Sequence, residues 1–150
     1  THEPVAAVAT SSTSSLPIPL EQLRILVAED HPVNQRIFKQ MLGKLQLDHR
    51  IVSDGSQVLP ALREQPVDIV LMDVQMPVMD GLETARQLRA TRDYERRPWI
   101  IAVTANAMDG DRERCLAAGM NDYISKPLKV EQVSAAIERA RQALAKGAGV

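Results

Sequence analysis

The sequence of 150 residues has only one cysteine, Cys115, and a formal net charge of only −1. A single cysteine excludes an internal disulfide framework and fits a reducing compartment, so we expect a cytoplasmic domain. The small net charge gives no indication of binding to nucleic acid or to an anionic membrane surface. No apolar run approaches the ~20 residues that a membrane-spanning helix needs. The apolar (45%) and charged (25%) fractions are instead typical of an ordinary globular domain.

The two ends of the chain differ in composition from its middle. Residues 1–21 are rich in Ser, Thr, Ala and Pro and lack the features of a signal peptide, so we expect a flexible linker. Residues 145–150 are expected to form a disordered tail, which leaves a compact domain at residues 22–144. The first residue is Thr rather than Met, which suggests an excised piece of a longer protein or a processed start.

Within the domain, apolar runs alternate with segments of helical periodicity. The apolar runs predict five strands, at residues 24–28, 49–54, 67–73, 99–105 and 122–127. The periodic segments predict five helices, at residues 31–46, 56–65, 81–92, 107–119 and 130–144. This alternation predicts an α/β fold in which a five-stranded parallel sheet is covered by helices on both faces.

Several residues indicate where the predicted helices begin, end or are disturbed. Pro32 suits the first turn of the first helix, whereas Pro60 lies about one turn into the second helix and would disturb it. Asp80 is expected to be the N-cap of the third helix, which Gly81 would begin without steric strain. Gly119 is a typical C-terminal stop for the fourth helix.

Candidate site residues, most of them polar, lie at the carboxyl ends of four predicted strands. They are Glu29 and Asp30 just after strand 1, Asp73 at the end of strand 3, Thr104 and Ala105 at the end of strand 4, and Lys126 and Pro127 at the end of strand 5. Open α/β sheets bind ligands outside the carboxyl ends of their strands, so the fold would bring these residues to one edge. Each residue alone is weak evidence for a ligand site. The inference rests on their joint placement at four strand ends.

Three carboxylates at one edge repel each other, and a divalent cation relieves that repulsion. Mg²⁺ prefers oxygen ligands, few of them carboxylates, and keeps several waters; Mn²⁺ is an alternative. We expect Asp30 and Asp73 to be direct ligands, Glu29 to act through water, and the backbone carbonyl of Gln75 to contribute. Asp73 is then the predicted nucleophile for a phosphoryl group, whose oxygens Lys126 and Thr104 would bind together with the cation.

These residues and motifs resemble those of a receiver domain of bacterial two-component signalling, across about residues 23–143. The resemblance implies a flavodoxin-like fold with strand order 2-1-3-4-5 and a cis peptide bond between Lys126 and Pro127. It also implies family roles for the residues at the strand ends. These are the acidic pair Glu29 and Asp30, the phosphoacceptor Asp73, the switch hydroxyl Thr104 with its neighbour Ala105, the invariant lysine Lys126 and the aromatic switch residue Tyr123.

Four motifs resemble those of receiver domains that are attached to hybrid sensor histidine kinases: EDHPVNQ, LMDVQMPVMDG, TANAM and GMNDYISKP. The resemblance implies transfer from phosphohistidine, with a histidine kinase phosphodonor domain, a histidine phosphotransfer domain or both as partners. Contact with these partners is expected at Asn34, Ile37 and Pro127. The parent chain would then be a sensor histidine kinase, for which an anchor in the inner membrane is expected. The domain itself is a phosphoacceptor with at most self-phosphorylation and self-dephosphorylation, and it contacts neither nucleic acid nor membrane.

Other classes of protein remain open at this point. A haloacid-dehalogenase-like phosphatase also uses an Asp nucleophile and Mg²⁺, but it expects a second Asp at the position of Gln75 and a nucleophile on the first strand. A dinucleotide-binding domain needs a Gly-rich first turn, and here that turn reads EDHPVN. A stand-alone response regulator and a phosphorylation-independent interaction domain are the more serious alternatives.

Further residues near these motifs have both a structural and a functional interpretation. His31 departs from the Asp or Asn frequent in the family and is read as a solvated loop residue or as a phosphoryl-proximal one. Gln35 is read as part of an ordinary polar first turn or as a contact for a partner helix. The remaining assignments are structural: packing for Cys115, Phe38 and Met41, packing at the amino edge for Trp99, a turn for Asp54 and solvation for Asp68.

Overall fold

The computed structural model describes residues 18–91, 97–105 and 109–146. Five strands alternate with five α-helices in this part of the chain. In chain order these are β1 (Arg24–Ala28), α1 (Pro32–Lys44), β2 (Asp48–Val52), α2 (Val58–Glu64), β3 (Ile69–Asp73), α3 (Gly81–Ala90), β4 (Trp99–Thr104), α4 (Asp109–Ala117), β5 (Asp122–Ser125) and α5 (Val130–Ala145). Most of the expected linker, residues 92–96, the last three residues of the TANAM motif and the last four residues of the chain lie outside the described residues.

The five strands form one parallel sheet in the order β2-β1-β3-β4-β5. The predicted fold class and strand order are therefore confirmed. Because β1 lies between β2 and β3, the connections leave β1 and β3 in opposite directions and open a crevice at their carboxyl ends. The strand ends that carry the predicted site residues face this crevice.

The sheet separates two apolar clusters, each covered by its own helices. One side buries Phe38 and Leu42 of α1 together with Val133 and Ile137 of α5. The other side buries apolar residues of α2, α3 and α4, among them Leu62, Leu88 and Cys115. All five residues of β3 are buried, as expected for a central strand with helices on both faces. Packing was the expectation for Phe38, Met41 and Cys115, and it is confirmed.

The helix boundaries agree with the local signals, with one exception. Pro32 begins α1, and the Asp80 carboxylate accepts a hydrogen bond from the Glu83 N–H at 2.9 Å, which makes it the N-cap of α3. Gly119 has a φ of +104°, the left-handed region that a glycine stop requires. The disturbance expected at Pro60 is absent because Pro60 is the third residue of α2, where its missing N–H has no intrahelical partner to lose.

Four strands are shorter than the sequence predicts, because the chain leaves the sheet in turns at their ends; β4, for example, ends at Thr104, one residue earlier than expected. After β2 the chain leaves the sheet at Asp54. The Asp54 carboxylate accepts a hydrogen bond from the Ser56 N–H at 2.7 Å and caps a short 3-10 helix at Gly55–Gln57. Asp54 is therefore a turn residue, as expected. Residues 67–68 and 126–127 likewise lie outside β3 and β5.

The expectation for Asp68, at the amino edge of the sheet, was wrong. Asp68 is only 3% exposed, and its carboxylate accepts a hydrogen bond from the Arg24 N–H at 3.0 Å. The Arg24 N–H lies in a partly buried position at the start of β1 and needs an acceptor, which Asp68 supplies. Trp99 at the same edge is half-buried against the apolar cluster of α1 and α5, which confirms its expected packing.

The described packing begins before β1 and continues to the end of α5. Ile18 packs against the cluster of α1 and α5, and its carbonyl accepts a hydrogen bond from Arg141 Nε at 2.9 Å. The last helix ends at Ala145. Domain limits at residues 22–144 stay a prediction. None of the helices described here is long and apolar enough to cross a membrane.

Candidate functional site

Three carboxylates meet at the carboxyl ends of β1 and β3. Glu29, Asp30 and Asp73 each offer one oxygen, and these oxygens lie within 4.8 Å of one another. The register explains the meeting, because Ala28 of β1 pairs with Met72 of β3 and the next residue of each strand is acidic. Glu29 is 0% and Asp73 4% exposed, whereas Asp30 is exposed. We call these three residues the acidic cluster.

Lys126 brings one positive charge to the acidic cluster. Its Nζ lies 2.9 Å from Asp73 Oδ2 and 3.8 Å from Glu29 Oε1. Lys126 follows β5, and its N–H donates to the carbonyl of Thr104 at 2.8 Å, which fixes its backbone beside the end of β4. The peptide bond to Pro127 is cis, as the resemblance implied. The arrangement therefore holds one ammonium against two buried carboxylates.

Backbone groups after β3 hold Asp73 in place. The Gln75 N–H donates to Asp73 Oδ1 at 3.0 Å, so both oxygens of this carboxylate are engaged. The Gly81 N–H donates to the Val74 carbonyl at 2.9 Å and closes the loop from β3 to α3. A Cβ added at Gly81 would overlap the carbonyl oxygen of Asp73. Glycine is thus required here by close backbone approach, which the sequence did not indicate.

Glu29 is the member of the acidic cluster whose negative charge is disfavoured by its surroundings. Burial raises its pKa to about 7, the Asp73 carboxylate also raises it, and the His31 backbone N–H and the Lys126 ammonium lower it. Glu29 Oε2 accepts from the His31 N–H at 3.1 Å, but no described residue donates a hydrogen bond to the buried Oε1. A buried carboxylate oxygen without a donor, beside a second carboxylate, suits a bound cation.

A cleft of about 670 Å³ opens beside the acidic cluster. Its lining includes the predicted site residues Asp30, Gln75, Thr104 and Ala105. Thr104 ends β4 and is 6% exposed. The Asp73 side chain does not line the cleft, but the residues that follow it do. The space can admit a small anionic group next to the carboxylates.

Tyr123, the predicted aromatic switch residue, lies on β5 and is half-buried. It pairs with Ala102, two residues before Thr104, so the side chains of Tyr123 and Thr104 lie on the same face of the sheet. The guanidinium carbon of Arg112 is 5.8 Å from the centre of the Tyr123 ring, a cation–π distance. No pattern in the sequence singles out Arg112.

None of the predicted partner residues is a member of the acidic cluster. Asn34 and Ile37 are half-buried on α1, and Pro127 is exposed. His31 has a structural role that was not expected, because its Nδ1 accepts from the Val33 N–H at 3.2 Å and caps α1. Histidine is not a favoured N-cap residue, so propensity could not have indicated this.

Comparisons with known proteins agree with this geometry. The family model of the response regulator receiver domain matches residues 25–138. The chain is 38% identical over 128 residues to hybrid signal transduction histidine kinase K of Dictyostelium discoideum, covering 81% of this chain and 11% of that protein. It is also 38% identical over 116 residues to the sensor histidine kinase RcsC of Escherichia coli K12, covering 75% and 12%. The chain thus spans about a tenth of the length of these curated relatives.

The solved structures of similar fold include two further receiver domains. The receiver domain of sensor histidine kinase PA1611 from Pseudomonas aeruginosa has a TM-score of 0.71 at 44% identity, covering 78% of this chain and 95% of that one. That structure has a magnesium ion coordinated in its active-site cleft. The Saccharomyces cerevisiae receiver domain of Ssk1, in complex with the histidine phosphotransfer protein Ypd1, has a TM-score of 0.76 at 26% identity, covering 85% and 94%.

Proposed function

The chain belongs to the response regulator receiver domains of two-component signalling, and we propose that Asp73 is the residue on which it accepts a phosphoryl group. The observation that carries this proposal is the contact of 2.9 Å between Lys126 Nζ and Asp73 Oδ2. It places an ammonium at the only carboxylate of the acidic cluster that ends the fully buried central strand. The Lys126 ammonium would therefore contact the oxygens of a phosphoryl group bound to Asp73.

We propose that the acidic cluster binds Mg²⁺. Asp30 and Asp73 would be direct ligands, Glu29 would act through water and Gln75 would contribute its carbonyl. The donor-free Glu29 Oε1 and the convergence of three carboxylates support this assignment, as does the magnesium ion in the PA1611 receiver domain. When bound, the ion would neutralise oxygens of the phosphoryl group. Mn²⁺ accepts similar oxygen ligands and would substitute.

The chemistry of the proposed step is a transfer between two nucleophiles. One oxygen of the Asp73 carboxylate attacks phosphorus of a phosphohistidine, in line with the bond to nitrogen. A P–O bond forms, the P–N bond breaks, and its electron pair returns to the imidazole of the donor. Lys126 donates N–H bonds to the transferred phosphoryl oxygens, and the Thr104 hydroxyl donates another. The product is an aspartyl phosphate.

The proposed donor is a histidine kinase domain or a histidine phosphotransfer domain. Hybrid histidine kinases among the relatives and the Ypd1 complex of a similar receiver support this choice. We propose that this chain is a segment of such a hybrid kinase, with its domain limits near residues 22–144 and a partner contact through Asn34, Ile37 and Pro127. Contact with nucleic acid or with a membrane is not part of the proposal.

Phosphorylation would act as a switch through Thr104 and Tyr123. The added charge and acceptor oxygens would draw the Thr104 hydroxyl toward the phosphoryl group, and Tyr123 on the same face of the sheet would move into the space it leaves. Partners would respond only if they bind the two states with different affinity. The Arg112 guanidinium over the Tyr123 ring would stabilise the ring orientation of this structure against that movement.

The experiment that tests the proposed function uses acetyl phosphate as donor. The purified chain, incubated with acetyl phosphate and Mg²⁺, is expected to gain one phosphoryl group, measured by intact mass. Asp73→Asn and addition of a chelator are each expected to abolish the gain. Labelling of Asp73→Asn at the wild-type extent would contradict the assignment. Absence of labelling in the wild-type chain would instead favour a phosphorylation-independent interaction domain.

A further inference from the structure

We propose that Gln35 is a positioning residue that holds the loop of Glu29 and Asp30 in the conformation that binds the divalent cation. The inference rests on the proposed function, because it concerns how the acidic cluster is prepared for its metal. The sequence indicated only a polar first turn or a partner contact at this position. The structure instead directs the half-buried Gln35 side chain back toward the acidic cluster.

The decisive contact is between the Gln35 side-chain amide and the Glu29 backbone. Gln35 Nε2 donates to the Glu29 carbonyl oxygen at 2.6 Å. Glu29 lies one residue past β1, and its N–H still donates to the Val52 carbonyl of β2 at 3.0 Å. Beyond this point the sheet no longer supports the loop. Gln35 therefore supplies the donor that fixes the peptide group between Glu29 and Asp30.

A second contact anchors the Gln35 amide itself. The same Nε2 donates its other hydrogen toward Ser53 Oγ, at 3.3 Å, in the loop that follows β2. The backbone N–H of Gln35 donates to the His31 carbonyl at 2.9 Å in the first turn of α1. Gln35 thus connects α1 with the loops that follow β1 and β2, and the amide is held from more than one side.

The position of Asp30 depends on this connection. The Asp30 carboxylate is exposed, and no described residue donates a hydrogen bond to it. Its direction is therefore set by its backbone, and the preceding peptide group is the one that Gln35 fixes. A metal ligand that is already oriented loses less conformational freedom on binding. Without the Gln35 amide, the peptide group can rotate and the cation must select the productive orientation.

The test replaces Gln35 with methionine, which has a similar length and helix propensity but no donor. The matched control is Gln142→Met, because Gln142 Nε2 also donates one hydrogen bond, to Glu138 Oε2 at 3.0 Å on α5, and contacts neither Glu29 nor Ser53. A second variant, Gln35→Asn, keeps the amide on a shorter side chain that cannot reach the carbonyl. The affinity for Mg²⁺ is measured by calorimetry, and the thermal unfolding midpoint is measured in chelator.

We expect both Gln35 variants to bind Mg²⁺ about three- to tenfold more weakly than wild type, the effect of one lost hydrogen bond. Gln142→Met loses one hydrogen bond as well and should bind Mg²⁺ as wild type does. Saturating Mg²⁺ should restore the extent of Asp73 phosphorylation in the Gln35 variants.

Two results would overturn the inference, and both are distinct from failure of the proposed function. Wild-type affinity for Mg²⁺ in the Gln35 variants would do so directly. Equal weakening in Gln142→Met would show that the loss of any glutamine hydrogen bond, rather than of the contact with Glu29, lowers the affinity. If the wild-type chain itself binds no Mg²⁺, the proposed metal site fails and the role of Gln35 fails with it.

Discussion

Lys126 and Asp73 are 53 residues apart in the chain, yet Lys126 Nζ lies 2.9 Å from Asp73 Oδ2. This pairing explains how a carboxylate that is only 4% exposed can end the central strand of the sheet. The ammonium offsets part of the cost of burying Asp73 and lies where the oxygens of a phosphoryl group would arrive. One contact thus stabilises the resting domain and prepares the proposed reaction.

Loss of the Lys126 ammonium is predicted to destabilise the metal-free domain. Lys126→Met leaves Asp73 and Glu29 without their shared cation, and we expect a loss of about 1–2 kcal/mol of unfolding free energy, since Lys126 is partly exposed. The measurement is urea denaturation in chelator. The control is Lys129→Met, an exposed lysine outside the acidic cluster. An equal loss in both variants would contradict the role assigned to the Lys126 contact.

Removal of the Glu29 charge is predicted to have the opposite effect. Burial raises the pKa of Glu29 to about 7, so its charged form is disfavoured in the folded, metal-free domain. Glu29→Gln keeps an acceptor for the His31 N–H and should raise the thermal midpoint measured in chelator.

The same Glu29→Gln variant should respond less to Mg²⁺. A ligand at 100 times its Kd stabilises a protein by about 2.7 kcal/mol, which sets the wild-type increase in midpoint expected on titration. The variant should need a higher Mg²⁺ concentration for the same increase. Coincident titration curves for the two proteins would show that Glu29 takes no part in binding the ion.

The close approach of Gly81 to Asp73 predicts a large effect of a single methyl group. In Gly81→Ala the new Cβ would overlap the Asp73 carbonyl oxygen, and we expect a loss of about 1–3 kcal/mol in urea denaturation. The matched control is Gly43→Ala on α1, where no atom lies within 4 Å of an added Cβ. That change should stabilise the domain by about 0.5–1 kcal/mol. Stabilisation by both substitutions would refute the packing argument.

The reactivity of the single cysteine is predicted to be low in the folded domain. Cys115 is 3% exposed, and burial raises the pKa of its thiol, to which the Asp111 carboxylate adds. Because the thiolate reacts, alkylation by iodoacetamide should require a higher pH in the native protein than in the unfolded chain. The measurement is the labelling rate from neutral to alkaline pH, with and without urea. Identical pH profiles in the two states would disprove the burial effect.

The architecture and the edge of the sheet that carries the site could be predicted, because both follow from the pattern of apolar and polar residues along the chain. The buried run that ends at Asp73 predicts a central strand, and alternation with helices predicts parallel strands whose carboxyl ends meet. Glu29, Asp30 and Lys126 could therefore be placed at the same edge before any contact was known. Their meeting within a few ångströms depends on the strand order, which the resemblance implied, and on the register of the strands, which only the structure shows.

The contacts that hold the site together could not be predicted, because they join residues through tertiary packing. Gln35 is an ordinary polar residue of a helical first turn until the helix places its amide against the Glu29 carbonyl. Gly81 is a plausible helix start until α3 meets the backbone of Asp73. Asp68 was expected in solvent because its packing against the Arg24 N–H leaves no pattern in the sequence.

The central claim is that Asp73 receives the phosphoryl group, and locating the modified residue tests it most directly. The chain is phosphorylated with acetyl phosphate and Mg²⁺ and then reduced with borohydride, which converts an aspartyl phosphate to homoserine. Peptide mass spectrometry should find homoserine at position 73 and unmodified acidic residues at Glu29 and Asp30. Homoserine at position 30 with an intact Asp73, or a phosphoryl group on any other residue, would contradict the account.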